Sequence, residues 1–461
     1  MAPGRRAPRG PQTSMRPILT NRMVWAWTAI WVATRALMVA DVGFWNDVGG
    51  PHLQDVDNYA AWSNHLATVH AFPSGEAWQY PPGSAFLMLV PRLGFGTYGE
   101  SFVALMLLAD LVGLGLLALL GRRSGGNFTG VWVWLLGLPL LGALPLLRFD
   151  LVPAVIAIGA LVAIHRRPRL FGALAGLGAA IKAWPIVLLF GEWDRRRLLR
   201  GGLAALAAIA LVFLVGAIAF GNPFGFLGEQ GSRGLQEEAV ATIPWQLREL
   251  VTGEGPARAI RYGAWEITGS SADAVAGALQ WAALAALAAA AAWWSYRARA
   301  IRGGREDLAR AAVSLDFVFT VLLLLVATSR VLSTQYMIWL LALAAVVLTA
   351  GSRRLARPAW LVVGATILTP SVFGVAATSL ARNLILLAAT VDACAAMVSM
   401  LRGRPPTRVD REGSEAGGLT AAWATRTVRG SFQAIQTAIQ IRRDPTPDTR
   451  GNGRGSESNP Q

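Results

Sequence analysis

Apolar runs of roughly membrane-spanning length recur along this chain, near 23–40, 101–120, 130–147, 150–164, 200–220, 273–296, 309–328, 335–350, 358–375 and 380–401. A helix needs about 20 apolar residues to cross a bilayer, and no single soluble core absorbs so many runs of that kind. The chain therefore reads as an all-α, polytopic membrane protein with about 11–13 transmembrane segments. A mean hydropathy of +0.44 and only 15% charged residues agree with this.

The net charge of +15 would fit a nucleic-acid binder, but its distribution excludes one. The arginines gather in short connections between apolar runs: Arg122–Arg123, Arg166–Arg169, Arg195–Arg197, Arg297–Arg310 and Arg353–Arg357. That is the positive-inside pattern, so these clusters and both termini are expected on the cytoplasmic side of a cell membrane. The partners implied are membrane lipids, with no nucleic acid. Counting spans from a cytoplasmic N-terminus satisfies every cluster only if 169–191 enters and returns as two short helices, bent near Lys182–Pro185. A broken helix is tolerated where it lines a polar cavity.

That bend carries the chain's one lysine, against 41 arginines. An ammonium among Leu, Ala and Gly must reach water, a carboxylate or a ligand anion. Two readings stand: Lys182 faces a membrane-embedded site for a lipid phosphate, or it snorkels from a helix end.

Three regions follow: a basic tail over 1–22, a membrane domain over 23–401, and a polar, Arg-rich tail over 402–461 that reads as disordered. Within the last tail, Phe432, Ile435 and Ile439 fit a surface-lying amphipathic helix. Two long loops, 41–100 and 221–272, fall on the outer face and carry enough aromatics and aliphatics to fold as interfacial helices. The segment 84–94 reads as an interfacial helix or part of a span. His52, His65 and His70 share the first loop with acids, but their spacing fits no closed ligand set, so neither metal nor cofactor is expected.

The first loop reads Asp55-Val-Asp57-Asn-Tyr59, then Tyr80-Pro-Pro-Gly83. A carboxylate just outside the first helix can act as general base toward an acceptor hydroxyl at the lipid–water boundary. Further on come Arg148-Phe-Asp150, Gly176–Pro185 with Lys182, and Ser333-Thr-Gln335-Tyr336-Met-Ile-Trp339. This ordered set resembles the C-superfamily membrane glycosyltransferases, and most of all glycosyltransferase family 87, over roughly 20–400. The chain departs from that family's pattern at Ala183, where proline commonly follows the lysine, and at Thr334, where proline commonly precedes the glutamine.

The resemblance implies an inverting transferase that moves a sugar, commonly mannose, from a polyprenyl-phosphate donor to a glycan or glycolipid acceptor on the outer face of a bacterial plasma membrane. Asp55 occupies the position of the base, with Asp57 as the neighbouring alternative. A departing lipid phosphate needs cations, for which Lys182, Arg233 and Arg330 are the candidates, with Gln236 beside them in the second loop. Tyr80 is expected to anchor at the interface. Arg148 and Asp150 are either substrate groups or a structural pair at a helix end; Gln335 and Tyr336 either bond the sugar or cap a helix. Glu237 and Glu238 read as solvated, or one of them touches acceptor hydroxyls. Asp110, Asp316 and Asp392 are intramembrane acids with no partner visible in sequence. The rival function is a secondary transporter or lipid flippase, which would show repeat symmetry and paired broken helices; a polysaccharide polymerase or ligase is a third.

Overall fold

The computed structural model describes residues 20–48, 54–75, 78–300, 307–369 and 376–401. Both expected tails, apart from Thr20–Arg22 and including the Phe432–Ile439 segment, lie outside the described residues, as does His52. The chain begins with α1 (Asn21–Val48), followed in the first long loop by α2 (Gln54–Val69) and the short α3 (Gly83–Leu89). Next come α4 (Tyr98–Arg123), α5 (Thr129–Gly137), α6 (Leu144–Leu147), α7 (Leu151–Ala163), α8 (Pro168–Ile181) and α9 (Arg195–Phe220).

The second long loop holds α10 (Phe226–Gly231), β1 (Leu235–Gln236), α11 (Ile243–Thr252), β2 (Arg258–Arg261) and β3 (Ala264–Ile267). Five helices finish the domain: α12 (Ser270–Ala300), α13 (Asp307–Ala327), α14 (Tyr336–Thr349), α15 (Ala356–Leu368) and α16 (Ala376–Leu401). The protein is all-α and polytopic, as its sequence demands. Helices α1, α4, α9, α12 and α16 are long and apolar enough to cross a membrane, and shorter apolar helices pack among them.

The long helices face outward. Leu203, Leu206, Leu214 and Ile218 of α9 are exposed to what must be lipid. By contrast α14 is buried from Met337 to Thr349, as expected of a helix apolar on every side. Helix α8 lies tightly on α9: a Cβ on Gly172 would sit 1.8 Å from the Gly201 carbonyl oxygen, and one on Gly176 would sit 2.3 Å from that of Ala205. Small residues four apart on both helices let the backbones touch.

Two expectations about breaks are settled here. The 169–191 segment is broken as anticipated, with α8 ending at Ile181 and a tight 3-10 turn over Trp184–Gly191. The run 130–147, expected as one span, is broken as well: Pro139, Gly142 at φ +61° and Pro145 divide it into α5, a 3-10 turn and α6. The described residues therefore hold two broken segments, a feature that the transporter reading shares. The segment 84–94 becomes α3 plus a 3-10 turn over Val90–Leu93.

The second loop adds a small antiparallel sheet, order β1-β3-β2, that the apolar pattern did not announce. Its hairpin turns at Tyr262-Gly263, both with positive φ, the geometry a two-residue hairpin loop requires. Among the intramembrane acids, Asp110 is fully engaged by the Arg35 guanidinium at 2.7 and 2.9 Å and by Trp31 and Trp134 indole N–H groups at 2.6 and 2.7 Å. It staples α1, α4 and α5 together. Asp392 pairs with Arg357 at 3.1 Å, and Asp316 is buried on α13.

Candidate functional site

The site begins where α7 and α8 form an antiparallel hairpin. Asp150 precedes α7 and Lys182 follows α8. A carboxylate at a helix N-terminus and an ammonium at a helix C-terminus each complement the local dipole. Because the two helices run antiparallel, those ends meet, and Lys182 Nζ donates to Asp150 Oδ1 at 2.7 Å. The Trp339 indole N–H donates to the same oxygen at 2.9 Å. Asp150 is 1% exposed and its Oδ2 has no hydrogen-bond partner.

Four rings surround the ammonium. Phe149, Trp339, Tyr80 and Tyr336 have centroids 5.0, 5.3, 5.4 and 5.8 Å from Nζ, within cation–π range. Tyr336 stacks on Trp339 at 3.9 Å, three residues apart on one face of α14, and Trp184 also stacks on Trp339 at 5.4 Å. Tyr80 arrives through a backbone contact. A Cβ on Gly83 would lie 2.5 Å from the Ala180 carbonyl oxygen, so only glycine lets α3 settle on the end of α8. Thus Tyr80-Pro-Pro-Gly83 does more than anchor at an interface.

Asp55 sits in the first turn of α2 and forms an ion pair with Arg148, in the extended link between α6 and α7. The pairing differs from one sequence reading: Arg148 and Asp150 do not pair with each other, because the extended backbone at Arg148 sends its side chain to α2 while Asp150 turns to Lys182. Asp55 also lies within electrostatic reach of Asp150 and Lys182. Burial pushes its carboxyl above the ordinary 3.8, with Arg148 pulling it back. Asp57 is exposed; two positions along a helix point about 200° apart, so only one of these acids faces Arg148. Tyr59, one turn beyond Asp55, is buried against Phe102 and Phe149 and fixes α2 in place.

The second loop closes over the same region. The Arg233 charge acts on Lys182, Tyr80 and Tyr336; its guanidinium lies over the Tyr262 ring and 4.0 Å from Glu266. Gln236 is buried, bonded to the Ser333 hydroxyl at 3.3 Å, and its backbone N–H donates to the Arg330 carbonyl at 2.9 Å. Arg330 Nη2 donates to the carbonyls of Gln230 and Gly231 at 2.6 and 3.1 Å, at the end of α10, and so ties the loop in place. Gln335 is buried at the start of α14, but its side chain makes no cap bond.

Glu237 and Glu238 are not solvated as expected. Glu237 pairs with Arg258 at 2.8 Å, and Glu238 is covered against Arg382 of α16. Away from this region, His65 is half-buried and His70 exposed. The side chains that sequence reading did not single out as site residues are Phe149, Trp339 and Arg382. Phe149 and Trp339 lay inside quoted motifs; Arg382, an arginine within an apolar run, was the overlooked signal.

The arrangement sets a half-buried carboxylate beside one cation, a second cation held in an aromatic socket, and a third in a loop above them. Such a place can take a proton from a hydroxyl and receive an anion. A family model, Glycosyltransferase family 87, matches residues 78–326, slightly over half of the 461-residue chain. The match includes Tyr80, Arg148, Asp150, Lys182 and Arg233; Asp55 precedes it and the Gln335–Trp339 element follows it. No curated protein and no solved structure matches the chain.

Proposed function

The chain belongs to glycosyltransferase family 87, a membrane glycosyltransferase, and from that premise we propose that it transfers a sugar, mannose in the leading form, from a polyprenyl phosphate to a glycan or glycolipid acceptor at the outer face of the cell membrane. One observation carries this reading: the Asp55–Arg148 and Asp150–Lys182 pairs lie within electrostatic reach of each other.

The acceptor hydroxyl attacks the anomeric carbon as the carbon–phosphate oxygen bond breaks, with inversion. Asp55 takes the hydroxyl proton, and the electron pair leaves with the polyprenyl phosphate. Negative charge then grows on that phosphate, where Arg148, Lys182 and Arg233 would stabilise it. A phosphate needs no proton to leave at neutral pH, so one carboxylate is enough. In the free protein Arg148 holds Asp55 and weakens it as a base. A donor phosphate competing for that guanidinium restores the carboxylate's basicity, which favours donor binding first.

The test is transfer of radiolabelled sugar from polyprenyl-phosphate-mannose in membranes carrying the protein. General-base assistance is worth about 10²–10⁴-fold, so Asp55→Asn should reduce transfer by that factor while Asp57→Asn stays near the parent. Full transfer by the Asp55→Asn protein removes the base assignment.

A further inference from the structure

Between α2 and the link from α3 to α4 lies a cavity of about 220 Å³. Ala60 and Asn64, one turn apart on α2, line one side, and Arg92, Gly94, Gly96 and Tyr98 line the other. Asn64, Arg92 and both glycines are exposed, so the cavity is open. Asn64 follows Asp55 by nine positions, about two and a half helical turns. The cavity therefore lies on the side of α2 turned away from the Asp55–Arg148 pair and is separate from the site described above.

Its lining is rich in donors. One terminal nitrogen of Arg92 donates to the Asn64 side-chain oxygen, and the remaining N–H groups of that guanidinium donate to nothing among the described residues. The Gly96 N–H is likewise unbonded among them. Glu100, whose carboxylate stands beside Gly96, is engaged by the Thr97 backbone N–H and hydroxyl at 2.7 and 3.0 Å. The rim, by contrast, is apolar. Leu93 and Phe95 are 84% and 99% exposed, and α4, long and apolar enough to cross a membrane, begins three residues after Phe95. Two glycines set the link in this place. A Cβ on Gly94 would lie 2.3 Å from the Ser101 Oγ, and Gly96 has φ +89°, so the chain lies close on the first turn of α4 and leaves Leu93 and Phe95 outside. Apolar side chains so placed at the head of a span meet acyl chains.

We infer that this cavity holds the headgroup of a membrane glycerophospholipid, with its phosphate on Arg92 and its acyl chains against Leu93 and Phe95. A guanidinium can pair with two phosphate oxygens at once. A soluble phosphate would leave the two apolar side chains in water, and an uncharged lipid would leave the Arg92 donors without an acceptor. Lipid bound here backs α2, the helix that carries Asp55. The inference does not depend on the glycosyl-transfer reading above.

The test uses the full chain in a neutral detergent with a phosphatidylglycerol that carries a photoactivatable diazirine on its first acyl carbons, and labelled peptides are located by mass spectrometry. Labelling should concentrate in 86–102. Arg92→Gln should lower it there on the order of tenfold or more, the loss expected for hydrogen bonds from a charged group, with labelling of the exposed face of α9 unchanged. Leu93→Ser combined with Phe95→Ser keeps the guanidinium and should also lower it. A diacylglycerol with the same diazirine but no phosphate should label 86–102 no more than it labels α9, and soluble glycerol 3-phosphate should compete poorly. Equal labelling of the parent and Arg92→Gln proteins overturns the site, as does equal labelling by the diacylglycerol, the signature of a bare acyl contact. Efficient displacement by glycerol 3-phosphate also overturns it, because the ligand is then a soluble phosphate.

Discussion

Removing either member of the Lys182–Asp150 pair should destabilise the protein unequally, and the inequality follows from the surroundings. Breaking a buried ion pair by deleting one partner typically costs about 3–5 kcal/mol, because a charge is left unpaired. Lys182→Met strands Asp150, which is 1% exposed and keeps only the Trp339 N–H at 2.9 Å, so this variant should bear the full cost. Asp150→Asn strands the ammonium instead. There the amide oxygen can still accept its bond, and four ring faces at 5.0–5.8 Å remain. Each cation–π contact is worth about 0.5–2 kcal/mol, without simple additivity, so this loss should be smaller by about 1–3 kcal/mol. The double variant leaves neither charge unpaired and should be more stable than Lys182→Met alone. Reversible unfolding by a denaturing detergent, followed by far-UV circular dichroism, gives the order. Equal losses in the two single variants, or a double variant no better than Lys182→Met, would refute the pairing argument. Sugar transfer read on the same samples separates stability from chemistry. The double variant should stay inactive, and recovered activity would reduce Lys182 to a structural group.

Two further outcomes follow from the same geometry. Trp339→Phe keeps the stack on Tyr336 but deletes the 2.9 Å bond to Asp150. A hydrogen bond to a charged group is worth about 1.5–3 kcal/mol, so transfer should fall about tenfold or more, with expression unchanged; parent-level transfer would show that Asp150 needs no such orientation. The pH profile of transfer carries the second. Asp55 serves as base only when ionised, and burial raises its carboxyl above 3.8. Activity should therefore be lost, as pH falls, at a higher pH than an ordinary aspartate would give. An acid limb at or below 3.8 would contradict the burial of Asp55.

What the sequence disclosed and what it hid divide by range. The break at Lys182–Pro185 was visible because a lone charge, a proline and the charge count of the flanking loops all demanded it. The break in 130–147 had equal local signals in Pro139, Gly142 and Pro145, but no charge interrupted the run, and hydropathy alone reads through such punctuation. Pairings were hidden because they are tertiary. Asp150 meets a lysine 32 positions away, and Glu238 meets an arginine 144 positions away in an apolar helix. Nothing local distinguishes a glutamate bound for such a partner from one facing water. The sheet hairpin was announced only by Tyr262-Gly263, a turn pair easily passed over between charged residues.

The same geometry accounts for why a chain that accepts arginine almost everywhere keeps one lysine. A guanidinium is planar, carries five N–H donors and needs acceptors arrayed in its plane. At the end of α8 Lys182 uses Asp150 Oδ1, which is shared with Trp339, while Asp150 Oδ2 has no hydrogen-bond partner. An arginine could reach both carboxylate oxygens, but its remaining N–H donors would face ring faces in place of acceptors. An ammonium is compact, and its remaining charge is met by four rings, contributed by the first long loop, the α6–α7 link and α14. The socket is therefore cut for a point charge, and its walls come from elements scattered along the chain from Tyr80 to Trp339. Correct assembly of those elements and placement of the cation are one event, so the fold delivers the charge to the site only when the first long loop has docked.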